Sequence, residues 1–172
     1  MHHQALLILR PMKIAEIYTA KGLLKAELYQ KETPKTVANF VSLAKKGFYD
    51  GLTFHRVIPG FVIQGGCPEG NGRGGPGYHI PCETSGELQF HDRGVLSMAH
   101  AGPNTGGSQF FVVLSRSATA HLDRAHTCFG KVFEGLEFLD SIKGGDKINK
   151  IVIVDTEAAD PAAANADAAK TE

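Results

Sequence analysis

The chain has 172 residues, 42% of them hydrophobic and 21% charged, which suits one domain with a core of its own. Eighteen Lys and Arg balance eighteen Asp and Glu, so the formal net charge is zero. That argues against nucleic acid or an anionic membrane surface as partner. No apolar run approaches the ~18 residues of a membrane helix. The short run Ala5 to Leu9, followed by Arg10 and Pro11, falls below the roughly 7–15 residues of a signal-peptide core.

The chain is therefore expected to be cytoplasmic. Its cysteines, Cys67, Cys82 and Cys128, are odd in number and form no C-x-x-C pair, so they read as reduced structural thiols. Three segments are expected. Residues 1–11 form an N-terminal extension ahead of Met12, residues 12–154 a single domain, and residues 155–172 an Ala-rich acidic tail. The tail holds eight alanines, five acids and one lysine, has no apolar periodicity, and is expected to be disordered.

Within the domain, Lys13 to Tyr18 and Gly22 to Leu28 flank a short turn and predict a hairpin. Thr33-Pro34 opens a helix, with the Thr33 hydroxyl as expected cap and proline in the first turn. Val37, Phe40, Val41 and Ala44 follow at i, i+3, i+4 and i+7, one apolar stripe, and Gly47 ends the helix. Short strand-like segments follow at 53–58, 61–64, 94–99, 109–114 and 128–132, punctuated by glycine and proline. Gly135 to Lys143 predicts a second short helix, with Leu136, Leu139 and Ile142 on one face. Ile148 to Val154 is a last strand. Many short strands and two isolated helices predict a mainly β fold, an antiparallel barrel or sandwich.

Three blocks carry the chemistry. The first is Phe54-His55-Arg56-Val57-Ile58-Pro59-Gly60-Phe61-Val62-Ile63-Gln64-Gly65-Gly66. The second runs from Gly94 through Ser97-Met98-Ala99-His100-Ala101-Gly102 to Ser108-Gln109-Phe110-Phe111. The third is His121-Leu122-Asp123 through His126, then Phe129-Gly130-Lys131-Val132. In order and spacing, from about Met12 to Val154, they resemble the cyclophilins, a family of peptidyl-prolyl cis-trans isomerases. The resemblance implies a closed eight-stranded antiparallel β-barrel capped by two α-helices.

Taken alone, Arg56 on a β-segment reads as a surface cation with a buried stem. The same guanidinium beside an apolar groove can offer fixed donors to an amide. Rotation about an X–Pro bond needs that kind of help, because amide resonance sets a barrier of ~18–20 kcal/mol. Localising the nitrogen lone pair lowers the barrier, with no nucleophile, base, metal or cofactor. The resemblance assigns this catalytic role to Arg56. It also implies a proline pocket walled by Phe61, Val62, Phe111 and Leu122, with His126 at its edge and His121 nearby. Gln64, Gln109, His100 and the backbone near Ala99 and Ala101 would hold the peptide. Gly72 belongs to a loop beside the groove, and His55 supports the strand next to Arg56. Each apolar residue has ordinary core packing as its plainer reading, and Phe110 is assigned to the core. Alternation puts Gln109 and Phe111 on one strand face and Phe110 on the other.

Other readings are weaker. The glycine-rich stretch 70–77 lacks a Gly-Lys-Ser/Thr ending and a strand–loop–helix context for phosphate. His121 and His126 stand at i and i+5, and no H-x-x-x-H pair suggests a metal. Three positions depart from common family residues: His121 where tryptophan is frequent, Val62 for methionine and His100 for asparagine. They bear on peptide preference and inhibitor sensitivity. The expected function is a cofactor-independent prolyl isomerase that assists protein folding. The alternative is a non-catalytic proline-peptide-binding or chaperone module using the same groove. Expected partners are proline-containing peptides, unfolded or partly folded proteins and, weakly, cyclosporin. No nucleic acid or membrane is expected, and the protein is expected to be a monomer.

Overall fold

The computed structural model describes residues 8–159. Alternating burial makes the first hairpin. In β1 (Leu9–Thr19) and β2 (Gly22–Leu28), Ala15, Ile17, Leu24, Ala26 and Leu28 point into the core. Ala15 pairs with Ala26 and Ile17 with Leu24. Thr19 closes the turn, its hydroxyl accepting from the amides of Lys21 and Gly22 at 3.2 and 3.1 Å.

The five short strands are β3 (Arg56–Ile58), β4 (Val62–Gly65), β5 (Val95–Met98), β6 (Phe110–Val113) and β7 (Cys128–Glu134). The last, β8 (Ile148–Ala159), pairs along β1 from Thr19↔Ile148 to Leu9↔Ala159. Both expected boundaries, at 11/12 and 154/155, therefore fall inside paired strands. Residues 155–157 are exposed, so the backbone ladder holds them without an apolar pattern that composition could reveal. The rest of the expected extension and tail, 1–7 and 160–172, lies outside the described residues.

The strands form one antiparallel sheet in the order β3-β4-β6-β5-β7-β2-β1-β8. The expected closed barrel needs correction here. Among the described residues no ladder joins β3 to β8. The segments just before them meet instead. The amide of Ile148 donates to Leu52 O at 2.7 Å and that of Phe54 to Asp146 O at 2.9 Å, beside an isolated Thr53↔Lys147 bridge. With three residues, β3 is too short to carry a second ladder past this junction.

The helices also differ from expectation. α1 (Pro34–Lys45) buries the predicted stripe together with Thr36 and Leu43. Phe40 lies 5.1–5.6 Å, centroid to centroid, from Phe129, Tyr49 and Phe110, so α1 closes one end of the core. Thr33 does not cap it. Its hydroxyl donates to Tyr29 O at 3.0 Å, and the Glu83 carboxylate takes the amides of Lys35 and Thr36 at 3.3 and 2.7 Å. The helix expected over 135–143 is a 3-10 helix, Leu136–Ser141. Leu136, Leu139 and Ile142 recur every three residues, the period of that tighter helix. The second α-helix, α2 (Arg116–Thr119), is a single turn continued as a 3-10 turn, Ala120–Leu122.

Both faces of the central strands are covered. Ile63, Leu96, Phe110 and Val112 join the main core under α1. Val62, Val95, Phe111, Val113 and Cys128 form a smaller cluster on the opposite face, against Tyr29, Phe61, Ala99 and Leu122.

Candidate active site

The smaller cluster is the floor of the candidate site, and strand register places it. Arg56 pairs with Gln64, Gln64 with Phe111 and Phe111 with Ser97. Directly opposed residues share a sheet face. Arg56, Gln64, Phe111 and Ser97 therefore form a row across four strands, facing away from the main core. Phe110, one residue off this row, is fully buried on the other side.

The row opens into a cavity of about 470 Å3. It brings together His55, Arg56, Phe61, Val62, Gln64, Gly72, Ala99, His100, Phe111, Leu122 and His126 from the expected set. Asn71 also lines it and was missed. Its signal was its place in Gly70-Asn71-Gly72, where its side-chain oxygen accepts from the Arg73 amide at 2.9 Å and shapes the loop. Gln109 and Ala101 line instead an adjoining space of about 750 Å3 that shares Gln64, Gly72, Ala99 and His100 with the first. His121 lines neither; its ring stacks on Phe61 with centroids 6.2 Å apart.

A chain of amides aims the arginine. Backbone carbonyls only accept, so Gly72 O and Gly74 O draw the NH2 of Gln109 toward them, at 2.8 and 2.9 Å. Gln109 Oε1 then accepts from Gln64 Nε2 at 3.1 Å, and Gln64 Oε1 accepts from Arg56 Nη1 at 3.2 Å. Two loop carbonyls thus set the orientation of both glutamines and of the guanidinium. The loop turn at Gly72 has φ +84°, and an added Cβ would lie 3.4 Å from His55 Nε2. Neither ring nitrogen of His55 has a hydrogen-bond partner among the described residues. Desolvation, then the charge of Arg56, lowers its pKa from the usual 6.5. His55 thus shows no bond that would support the strand.

Behind the floor lies a buried polar network. His91 Nδ1 donates to Asp123 Oδ1 at 3.0 Å, and Ser97 Oγ donates to His91 Nε2 at 2.9 Å. The carboxylate selects this tautomer. Arg116 holds Asp123 through two bonds of 2.9 and 2.7 Å and keeps its carboxyl well below the usual carboxylate range. The order Ser–His–Asp matches that of a hydrolytic triad. Ser97 and His91 have no exposed surface, however, so no substrate reaches them, and through Asp123 and Arg116 the network brackets the 3-10 turn after α2 that carries His121 and Leu122.

The wall opposite Arg56 is aromatic. His126 stands edge-on to Phe111 at 5.7 Å and stacks on His100 at 3.9 Å. His126 Nδ1 donates to Met98 O at 2.8 Å. Burial pushes its pKa below 6.5; the Met98 carbonyl opposes this, and the neighbouring imidazoles add to it.

The family model for cyclophilin type peptidyl-prolyl cis-trans isomerases matches residues 14–158. The chain belongs to the cyclophilin-type peptidyl-prolyl cis-trans isomerases. It is 60% identical over 125 residues to peptidyl-prolyl cis-trans isomerase B of Bacillus subtilis, covering 73% of this chain and 86% of the relative. It is 53% identical over 150 residues to a peptidyl-prolyl cis-trans isomerase of Synechococcus elongatus, covering 86% of this chain and all of the relative. A crystal structure of a Cryptosporidium parvum cyclophilin, determined in the presence of the dipeptide Ala-Pro, superposes with a TM-score of 0.76 at 38% identity. It covers 82% of this chain and 98% of that one.

Proposed function

We propose that this cyclophilin turns X–Pro peptide bonds with Arg56 as its catalytic residue. The observation that carries the reading is the aimed guanidinium. Among the described residues it gives one hydrogen bond to protein, through Nη1 to Gln64, and it stands at the mouth of a cavity walled by Phe61, Phe111, Leu122 and His126. A proline ring seated on Phe111 sets its imide nitrogen toward Arg56. Donation to that nitrogen favours the twisted amide over either planar state, which is differential transition-state binding. Gln64 and the backbone at Ala99–Ala101 hold the peptide on either side of the twisting bond. No proton changes hands and no cofactor enters.

The substrate class is proline-containing peptides and unfolded or partly folded chains. The Cryptosporidium relative was crystallised in the presence of the dipeptide Ala-Pro, and the cavity of this chain has Phe61, Phe111 and Leu122 as an apolar wall. The three unpaired cysteines support a reducing, cytoplasmic setting. NMR exchange on an Ala-Pro peptide tests the mechanism. Arg56→Ala should lower kcat/KM by at least ~100-fold in a protein that still folds, because Arg56 is exposed. Peptide binding without turnover by the wild type would instead support the non-catalytic module, and near-normal turnover in the folded variant would remove Arg56 from the mechanism.

A further inference from the structure

His100 was expected among the residues that hold the peptide, and it lines the cavity. Its ring is also engaged within the protein. The Gly102 amide donates to His100 Nδ1 at 3.1 Å, so Nδ1 is the acceptor and Nε2 carries the proton. That Nε2 lies 2.8 Å from Ala125 O and donates to it. Both nitrogens are thus engaged within the protein, and the ring ties the loop after β5 to the turn before His126. The His100 and His126 rings stack with centroids 3.9 Å apart and planes 7° from parallel, and His126 in turn approaches Phe111 edge to face.

We propose that His100 is a positioning residue for the proline pocket: its stacked, neutral imidazole is the shelf that holds His126 against Phe111 when peptide binds. The inference rests on the isomerase reading above and extends it to how the pocket wall is kept in place.

The same geometry makes the shelf sensitive to acid. His126 Nδ1 already gives its proton to Met98 O, so a second proton must go to Nε2, on a ring stacked face to face with another imidazole. The surrounding groups give it little compensation. Arg56 and His55 face it across the cavity, and His121 and His91 stand on the flanking segments. Asp123 is engaged by Arg116 and His91, and Arg124 donates to Thr84 O and Gly86 O. No acidic residue lines the 470 Å3 cavity; Glu69 lines the adjoining space beyond His100. Protonation of His126 puts a cation into a wall built to meet an apolar ring, so peptide affinity falls on the acid side while the rotation step, which moves no proton, does not change.

The test is steady-state isomerisation of an Ala-Pro peptide by the full chain from pH 8 to pH 5, with kcat and KM resolved. His100→Ala and His100→Phe are compared with wild type, and circular dichroism checks the fold. An active wild type is the prior condition; its inactivity would sink the isomerase reading rather than this one. With an active wild type, His100→Ala should raise KM roughly 3- to 10-fold, the scale of an aromatic pair, with kcat within about twofold. His100→Phe, which keeps the stack and loses both ties, should restore most of the lost KM. The acid limb of kcat/KM should lie below pH 6.5 in wild type and move toward it in His100→Ala, which uncovers the buried His126 ring. An unchanged KM in His100→Ala, a fall in kcat at constant KM, no recovery in His100→Phe, or an unmoved acid limb would each overturn the proposal.

Discussion

Gln109 shows how much of the site depends on one side-chain amide. It accepts from Gln64 and gives both its protons to the 72–74 loop. Gln109→Leu keeps the shape but leaves two carbonyls and Gln64 Nε2 without partners. The expected result is a roughly 10-fold loss in kcat/KM, smaller than for Arg56→Ala, because Arg56 stays but is no longer aimed. The same exchange assay reads it. His121 is the opposite case. It stacks on Phe61 outside both cavities, so a short prolyl peptide should barely sense it. A cyclosporin macrocycle extends further, and an indole offers it a broader face and an N–H donor. Wild type should bind cyclosporin weakly, and His121→Trp should tighten binding about 30-fold or more with little change in kcat/KM. Titration of both proteins in one peptide assay checks this. Nanomolar inhibition of the wild type would shift attention to Val62 and His100.

The elements owe their ends to distant partners. α1 begins where Thr33-Pro34 predicts, yet its first amides are met by Glu83, 47 positions from Thr36. Glu83→Ala should therefore lower Tm by about 2–4 °C, the scale of losing a helix cap of ~1 kcal/mol in a domain of this size. Thermal denaturation followed at 222 nm measures it, and isomerase activity at 25 °C should be unaffected. The apolar stripe of α1 was legible because a twelve-residue helix repeats its pattern. The six residues of Leu136–Ser141 repeat it too briefly to separate a period of 3.0 from 3.6. The outer ends of β1 and β8 were illegible for another reason. Their pairing is a property of two backbones lying side by side, and no run of buried apolar residues marks it; their cross-strand ion pair, Lys13 with Asp155, joins residues 142 positions apart.

For the whole molecule, the buried histidines set the response to pH. His91, fully buried, and His126 are both held below 6.5, chiefly by desolvation. A histidine whose folded pKa lies below its unfolded value contributes stability that is present above 6.5 and lost as pH falls through the folded value. Asp123, lowered chiefly by its bonds to Arg116, adds a second loss below the ordinary carboxylate range near 3.8. Urea midpoints should be level from pH 8 to 7, fall between pH 6.5 and 5, and fall again below pH 4. His91→Gln should flatten much of the first step. Urea titrations at five pH values provide the measurement.

Residue order alone supported the family, the strand-rich class and α1, and through the resemblance it named Arg56 as the expected catalytic residue. Each rests on local spacing: a stripe at helical period, alternation that separates Phe110 from Phe111, and long motifs whose members are neighbours in the chain. The open junction between β3 and β8, the Glu83 cap, the amide relay and the stack of His100 on His126 came only with tertiary structure. Each joins groups that are far apart in sequence or depends on which way a ring or amide turns. Spacing along a chain names the side chains that can meet. Which atom of each donates, and to what, is decided by the sheet register and loop carbonyls that surround them.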